Sequence, residues 1–290
     1  MSLDIYNFNN FPTFKDPVFI IGSFESFHLG HYELYKKAKE LQANEPERDI
    51  VLVFFKDIEN INKYKNPFIF SDFNNRIQEF ANLGFQKAIY LEFNKIANLE
   101  PSEFIKKLTT NQNNFHIIVG EDFKYGAKAK GNVSTLKEEI GSDKITAMPF
   151  LKVNESIKIS TSFLKECLEL GDIELVNSLN CFTYSFSSKL INHNLDDHVI
   201  NMQVDDNLVL LRAGLYLSYV EINNYVYYAI LRANLDGDYD LKFVDFALKD
   251  NEEINSRIKV LKPLRFFVKP SDEAISETDI NNSKKQFIKK

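Results

Sequence analysis

A pair of histidines, His28 and His31, forms the short pattern H-x-G-H. Imidazoles can donate hydrogen bonds to phosphate oxygens, and Gly30 between them lets a backbone and a phosphate come close. A metal site is disfavoured because the chain has only five histidines and no cysteine or carboxylate cluster nearby at ligand spacing. The plain alternative is two unrelated surface histidines. Residue types and spacing therefore favour a phosphate site. The secondary structure around the pair helps to decide between a phosphate site and two unrelated surface histidines.

The segment around the pair predicts a strand, a turn and a helix. The run from Val18 to Ile21 is short and apolar, as is typical of a buried strand, and a turn from Gly22 to Phe27 follows. In an open α/β sheet, ligands bind at the carboxyl end of such a strand, where a helix N-terminus also favours an anion. This position argues for phosphate binding. The helix has an apolar face made by Tyr32, Leu34, Tyr35, Ala38 and Leu41.

Strands and helices continue to alternate up to about residue 180. Helices are expected from an N-cap at Ser71, from Pro101 and over Ser134–Ile140. This alternation predicts an α/β domain built on a doubly wound parallel sheet. The further strands are expected at Asp49–Phe55, Lys87–Phe93, Phe115–Val119 and Lys144–Phe150.

Three consecutive hydroxyl residues, Ser160, Thr161 and Ser162, open another predicted helix. Their simplest role is to cap that helix. Beside a phosphate site they would also form a second anion-binding helix start, with Lys165 one turn further on to reach a phosphate. The residues alone leave both interpretations open.

After about Asn180, short β-rich runs follow one another without helices between them. Asn223-Asn224 predicts a hairpin turn, and Ser271 predicts the cap of a final helix that runs through Phe287. The pattern predicts a small antiparallel β-barrel, and hence two domains at residues 1–180 and 181–290. The expected strands are Val199–Val204, Asn207–Arg212, Leu215–Ile222, Tyr225–Arg232, Leu241–Leu248, Arg257–Leu261 and Leu264–Val268.

Composition narrows the class of protein. The 290 residues are 44% hydrophobic and 26% charged, as in a folded globular protein, and the net charge of −6 argues against nucleic acid as a partner. No apolar run approaches the ~20 residues of a membrane span, and the N-terminus lacks the features of a signal peptide. Cys167 and Cys181 match neither a metal site nor a disulfide framework. We therefore expect a cytoplasmic protein, and the oligomeric state stays open.

Together these motifs resemble those of the prokaryotic bifunctional FAD synthetases, in which an FMN adenylyltransferase domain precedes a riboflavin kinase barrel. The family pattern G-x-F-D-G-x-H-x-G-H corresponds to Gly22–His31, and G-x-D-F-x-F-G corresponds to Gly120–Gly126. The pattern F-x-x-x-x-A-x-L-x-P-x-E-F corresponds to Phe93–Phe104, and I-S-S-T-x-I-R to Ile159–Lys165. The H-x-G-H pattern alone is shared with other nucleotidyltransferases. Four motifs in this order, followed by a barrel, are far more specific.

The resemblance implies transfer of AMP from ATP to FMN, which gives FAD and pyrophosphate, with Mg²⁺ bound to the phosphates rather than held in a protein cage. It implies catalytic roles for His28, His31 and Lys165. It implies flavin binding at Gly120, Asp122, Phe123 and Gly126, although a purely structural loop there is an equal alternative. The implied ATP-binding residues are Gly22, Ser23, Phe24, Glu25, Gly30, Ser160, Thr161 and Ser162.

The chain departs from the family in both halves. Glu25, Ser26 and Lys165 replace the usual Asp, Gly and Arg. Lysine keeps the positive charge but lacks the two-pronged fork of arginine, so we expect a weaker or redirected grip on phosphate. The kinase motif G-F-P-T-A-N is absent between Ser185 and Val209, and Asp240 falls where the family has its catalytic Glu. We therefore expect the barrel to have lost kinase activity.

Three alternatives stand beside this hypothesis. The first is a fully bifunctional riboflavin kinase and FAD synthetase whose kinase motif has diverged. The second is another H-x-G-H nucleotidyltransferase, acting on nicotinate mononucleotide or phosphopantetheine. The third is a catalytically inactive protein that binds a flavin or a nucleotide.

Overall fold

The computed structural model describes residues 2–61, 68–194, 199–246 and 253–288. Two compact units are distinguished, one from Met1–Pro67 and Arg76–Ser160, the other from Phe68–Asn75 and Thr161–Lys290. The strands are β1 Asp4–Asn7, β2 Val18–Ile21, β3 Ile50–Phe55, β4 Lys87–Leu91, β5 His116–Gly120, β6 Lys124–Tyr125, β7 Gly131–Asn132, β8 Ile145–Met148, β9 Lys152–Val153, β10 Ile157–Lys158, β11 Ser185–Asn194, β12 Val199–Gln203, β13 Gly214–Ile222, β14 Tyr225–Ala233, β15 Tyr239–Phe243 and β16 Ile254–Phe266. The helices are α1 Leu29–Asn44, α2 Phe73–Leu83, α3 Phe93–Ile96, α4 Pro101–Thr109, α5 Val133–Ile140, α6 Thr161–Leu170, α7 Ile173–Leu179 and α8 Glu277–Ile288.

The first unit contains a six-stranded parallel sheet with the strand order β1-β4-β3-β2-β5-β8. Its central strands β2 and β3 consist of branched and aromatic residues, and all but the last residue of β3 are buried. Strands of this kind form where helices cover both faces of a parallel sheet. The predicted parallel α/β sheet is therefore confirmed, and β1 is an additional edge strand that the sequence did not predict.

The strand order places a topological switch point next to β2. The chain leaves β2 for β3 on one side, whereas β5 pairs with β2 on the other. Ile20 is in register with Ile118, so Gly22 and Gly120 leave the sheet side by side at its carboxyl edge. The loop that leads to His28 begins at this point. Open α/β sheets bind their ligands in the crevice at such a switch point.

The second unit contains a closed antiparallel barrel with the strand order β11-β12-β15-β14-β13-β16. The predicted barrel is confirmed. Asn223 and Asn224 both have positive φ, 49° and 69°, and form the predicted turn between β13 and β14. Positive φ at both central residues matches the right-handed twist of a hairpin. The side-chain amide of Asn177 on α7 donates to the carbonyls of Val260 and Leu261, each at 3.0 Å.

A segment from the first half of the chain, Phe68–Asn75, belongs to this second unit. Ile69 forms a parallel bridge with Leu208. The Asp72 carboxylate accepts from the backbone N–H of Ser187 at 2.7 Å and from its hydroxyl at 2.8 Å. Asp72 thus stabilises both the first turn of α2 and the first barrel strand.

Four predicted strands of the second unit were wrong in their existence or extent. Asn207–Arg212 is not a strand, and its pairing with Ile69 is a single bridge. Arg257–Leu261 and Leu264–Val268 belong largely to one strand, Ile254–Phe266, which runs through a proline. The predicted strand Leu241–Leu248 is observed as Tyr239–Phe243, and residues 247 and 248 lie outside the described residues. The strand Ser185–Asn194 was not predicted.

Two predicted helix starts were also wrong. Helix α2 begins at Phe73, and Asp72 rather than Ser71 accepts from the N–H of Asn75, at 2.9 Å. Helix α8 begins at Glu277 instead of after Ser271, because Ser276 and Asp279 cap each other's backbone there. Within the described ranges, every helix is too short or too polar to cross a lipid bilayer.

Candidate functional site

His28 caps the helix that carries His31. Its backbone is extended, and its ring Nδ1 accepts from the backbone N–H of His31 at 3.2 Å. A ring nitrogen that accepts a hydrogen bond carries no proton, so neutral His28 has its hydrogen on Nε2. The Nε2–H group is therefore the donor that His28 can offer to a ligand.

His31 has the opposite arrangement of protons. Its Nδ1 lies 3.0 Å from the carbonyl oxygen of Ser26, and because a carbonyl can only accept, Nδ1 carries the hydrogen. Neutral His31 therefore has a lone pair on Nε2 and donates from that atom only when it is protonated. The two rings are stacked, with centroids 3.8 Å apart and planes at 15°. The structure thus brings the pair together as one unit with complementary hydrogen positions.

Burial keeps His28 neutral. The residue is 7% exposed, and desolvation lowers its pKa well below the usual value of 6.5, with the charges of His31 and Lys158 acting in the same direction. At neutral pH the His28 ring is therefore uncharged, with a fixed Nε2–H donor. A neutral donor can approach a phosphate without the cost of burying a second cation against its neighbour.

The glycines around the pair are required by close contacts. A Cβ on Gly30 would lie 3.0 Å from Cε1 and Nδ1 of His28, and a Cβ on Gly22 would lie 2.9 Å from Cζ of Phe24. Phe24 has a positive φ of 47° and its ring meets His31 edge-on, with centroids 4.8 Å apart. The turn is therefore folded tightly beneath the His31 ring. The side chains of Phe24 and Glu25 are fully buried, whereas Gly22, Ser23 and Gly30 remain partly accessible.

Lys158, at the end of the β9–β10 hairpin, lies close to the predicted site residues and was not predicted from the sequence. Its Nζ pairs with the Asp122 carboxylate at 2.8 Å and lies 3.4 Å from the ring centroid of Phe150. Its charge also lowers the pKa of His28. Lys158 therefore connects the predicted flavin loop to the histidine pair. The only sequence signal for Lys158 is its position two residues before Ser160. A single lysine in a polar hairpin does not by itself predict a binding site.

The loop after β5 holds the residues predicted to bind flavin. Gly126 has a φ of 71°, and a Cβ there would lie 2.7 Å from the backbone nitrogen of Pro101, so this glycine is needed for packing. The rings of Phe123 and Tyr125 stack with centroids 5.3 Å apart. Asp122 is exposed, apart from its ion pair with Lys158. The loop thus combines a structural glycine with accessible polar and aromatic groups.

The hydroxyl segment is divided between the two units. Ser160 ends the first unit, and Thr161 begins α6 in the second. Ser162 is exposed, whereas Thr161 and Lys165 are buried. The Nζ of Lys165 donates to the backbone carbonyl of Phe68 within the second unit. Lys165 therefore has a structural partner that the sequence did not predict.

Asp240 is held in the barrel by an ion pair. One of its carboxylate oxygens accepts from Nε and Nη2 of Arg232 at 2.9 and 2.6 Å and from the amide of Asn234 at 2.9 Å. The other oxygen, Oδ1, is buried without a hydrogen-bond partner in the described part of the chain. The described residues hold no group of three or more His, Cys, Asp or Glu side chains placed to bind a metal.

Stacked imidazoles at a helix start, at the switch point of a parallel sheet where ligands bind, fit a nucleotidyltransferase with the H-x-G-H motif. The family model for FAD synthetase matches residues 12–163, which is more than half of the 290 residues. The chain belongs to the FAD synthetase family.

Bacterial relatives agree with this assignment. The chain is 25% identical over 218 residues to the bifunctional riboflavin kinase/FMN adenylyltransferase of Bacillus subtilis. The aligned region covers 72% of this chain and 69% of that protein. It is 30% identical over 180 residues to the protein of the same name from Buchnera aphidicola subsp. Schizaphis graminum, covering 60% and 57%. A FAD synthetase of Listeria monocytogenes is 24% identical over 214 residues, covering 66% and 82%.

A solved structure shares the fold of the whole chain. It is described as a macrolide-efflux protein from Streptococcus pneumoniae, and it matches with a TM-score of 0.76 over 98% of this chain and 97% of its own. The sequence identity is 19%. The match supports the fold, namely a parallel α/β sheet followed by an antiparallel barrel.

Proposed function

We propose that this protein is an FMN adenylyltransferase that transfers AMP from ATP to FMN, with FAD and pyrophosphate as products. The observation that carries the proposal is the stacked pair of His28 and His31 at the switch point of the parallel sheet. Family membership supports the same reaction class. We assign this activity to residues 1–180 and the barrel to residues 181–290.

The reaction needs little covalent participation from the protein. A phosphate oxygen of FMN attacks the α-phosphorus of ATP, the bond from that phosphorus to the bridging oxygen breaks, and pyrophosphate leaves with the electron pair. The protein aligns the two substrates and stabilises the charge that moves onto the leaving group. His28 would donate from Nε2, which its capping contact leaves protonated. His31 would donate from Nε2 as a cation, since its Nδ1 hydrogen is directed at Ser26.

The ATP would bind as its magnesium complex, with the metal carried on the phosphates as part of the substrate. We assign the nucleotide contacts to the accessible backbone at Gly22, Ser23 and Gly30 and to the hydroxyls of residues 160–162. Lys165 would reach the β- and γ-phosphates after its Nζ exchanges the Phe68 carbonyl for a phosphate oxygen. A charge-assisted bond to phosphate is stronger than one to a neutral carbonyl, which favours this exchange.

The flavin would bind on the side of the loop after β5. Asp122 and Phe123 are partly or fully accessible there, and Lys158 pairs with Asp122 while its charge also acts on His28. A cation at this position would attract the FMN phosphate toward the α-phosphorus. Gly120 would allow close approach at the end of β5, and Gly126 would keep the loop packed against α4.

We further propose that the barrel has lost riboflavin kinase activity. The motif G-F-P-T-A-N is absent between Ser185 and Val209. Asp240 would be the remaining candidate for the general base, but one of its oxygens accepts three hydrogen bonds, two of them from Arg232. That oxygen is therefore already occupied by its neighbours, which argues against contact with a substrate hydroxyl. The names of the bacterial relatives favour the bifunctional alternative.

One assay tests both parts of the proposal. The protein is incubated with Mg·ATP and either FMN or riboflavin, and the flavins are separated and quantified. We expect FAD and pyrophosphate from FMN and no product from riboflavin. FMN formed from riboflavin would show that the kinase is retained. Tight binding of FMN and ATP without pyrophosphate release would identify an inactive binding protein instead.

A further inference from the structure

Arg76 on helix α2 is buried, with 2% of its surface exposed, and it donates to backbone carbonyls from two different segments. Its guanidinium bonds to the carbonyls of Phe55 at 2.7 Å and Lys56 at 2.8 Å, where β3 ends. A longer contact of 3.4 Å joins Nη1 to the carbonyl of Phe24, in the turn that leads to the histidine pair. All of these residues belong to the first unit.

Backbone carbonyls at the end of a buried strand need partners, because leaving them unpaired costs free energy. A lysine could supply one point of positive charge, whereas the planar guanidinium reaches several acceptors in a fixed geometry. The Arg76 guanidinium also lies 5.7 Å from the ring centroid of Phe54, which is fully buried. Arg76 therefore fixes the end of β3 and the Phe24 turn relative to each other.

The Phe24 turn in turn sets the position of His31. Phe24 has the left-handed φ of 47°, a conformation that needs support from its surroundings. Its ring meets the His31 ring at a centroid distance of 4.8 Å and stacks on Phe27 at 5.6 Å. A shift of the turn would therefore move the aromatic ring on which His31 rests.

We infer that Arg76 is a positioning residue for adenylyl transfer, acting through Phe24 on the orientation of His31. This inference rests on the proposed function for its kinetic consequence, but its structural part does not. Displacement of a catalytic group by about 1 Å can cost on the order of 10²-fold in rate. Arg76 lies at helical spacing from Phe73 and Phe80 and was not predicted as a functional residue, because its partners are backbone carbonyls distant in sequence.

The test compares Arg76→Met and Arg76→Lys with a matched control, Arg48→Met. The Arg48 side chain is 9% exposed and pairs with Glu45 at 3.0 Å, just before β3 begins, so it lies at the opposite edge of the same sheet. Long-range ¹H–¹⁵N NMR reports the chemical shifts and tautomers of His28 and His31. Thermal unfolding and the rate of FAD formation are measured on the same samples.

We expect Arg76→Met to shift the His31 ring signals and to lower kcat by about 10- to 100-fold, with a smaller change in KM for ATP. Arg76→Lys should show an intermediate shift, and Arg48→Met should leave both rings unchanged. If Arg76→Met does not fold, the folded Arg76→Lys variant decides the question. Unchanged histidine signals in a folded Arg76 variant would overturn the inference. Absence of FAD formation by the unsubstituted protein would refute the proposed function alone, since the NMR comparison still stands.

Discussion

The Nδ1 atom of His28 accepts the backbone N–H of His31 at 3.2 Å, so one imidazole of the pair caps the helix on which the other stands. This contact gives His28 two roles, because the capping bond fixes the ring and also leaves the hydrogen on Nε2 for a ligand. Substitution of His28 by a residue that cannot cap therefore changes helix stability and the donor at the same time. Variants that separate the two effects are needed.

Replacing His28 by Asn or Ala separates capping from phosphate binding. Asparagine is a good N-cap residue, so His28→Asn should keep the stability of the protein, whereas His28→Ala should lose about 1 kcal/mol. Both variants lack the imidazole Nε2–H donor, and we expect turnover to fall by on the order of 10²–10³ in each. FAD formation and urea unfolding measure the two effects. Near-normal turnover in His28→Asn would remove the catalytic role of this ring.

Acid should destabilise the protein through His28. Its folded pKa is lowered below 6.5, chiefly by desolvation, so the unfolded chain binds more protons than the native state once the pH falls through 6.5. The stabilisation that neutral His28 provides is present above about 6.5 and is lost as the pH falls toward the folded pKa. The slope approaches ~1.4 kcal/mol per pH unit for one proton. Urea unfolding at a series of pH values measures it.

The control for this pH effect is His28→Asn, which keeps the cap but does not titrate. We expect its unfolding free energy to fall less steeply below about pH 6.5. His116 contributes a slope of the same sign in both proteins, because desolvation lowers its pKa too, followed by the charges of Arg48 and Lys37. Only the difference between the two curves is therefore assigned to His28. Parallel curves would contradict the buried neutral ring.

Lys165 has a structural partner and a proposed substrate partner, and Lys165→Met tests both. Loss of the donor to the Phe68 carbonyl should lower the unfolding free energy by about 1–3 kcal/mol. Loss of a phosphate contact should raise KM for ATP by about 10-fold or more. Lys165→Arg, which restores the residue usual in the family, should keep ATP affinity. A lower stability with an unchanged KM would limit Lys165 to its structural role.

Asp240 should matter for the stability of the barrel. In Asp240→Asn, Arg232 loses the carboxylate that it contacts with two nitrogens. We expect the free energy of unfolding to fall by about 2–3 kcal/mol, less than for a fully buried pair because Arg232 is partly exposed. The exposed Asp238 on the same hairpin gives a matched control, Asp238→Asn, with an expected change within about 0.5 kcal/mol. Urea unfolding compares them. A stable Asp240→Asn protein that no longer converts riboflavin would instead identify a kinase base.

The parallel sheet and the barrel could be predicted because their strands carry strong local patterns. Val18–Ile21 and Ile50–Phe55 are continuous apolar runs, and Asn223-Asn224 is a strong hairpin signal. The first unpredicted strand, Asp4–Asn7, is a short polar edge, and Ser185–Asn194 is rich in Ser and Asn. Such strands are specified by their neighbours rather than by their own residues.

Long-range contacts explain the other errors. Asn207–Arg212 is apolar enough for a strand, but its pairing to Ile69 is a single bridge that no local pattern encodes. The predicted strands Arg257–Leu261 and Leu264–Val268 are one strand because Pro263, between them, lies in β16 next to an irregular register opposite Tyr216, where a missing N–H is tolerated. Arg76 and Lys158 could not be predicted, because their partners are carbonyls, a carboxylate and aromatic rings that are distant in sequence and close only in the fold. The histidine pair was predictable because its spacing and its turn are adjacent in sequence.

The second unit is assembled from two separate stretches of the chain, with Phe68–Asn75 contributed long before Thr161 is reached. During synthesis on the ribosome, Asp72 and Ile69 cannot form their contacts with Ser187 and Leu208 until those later residues have been synthesised. No single proteolytic cleavage can release this unit intact. Isolating the barrel would require supplying residues 68–75 in trans or reconnecting them by circular permutation.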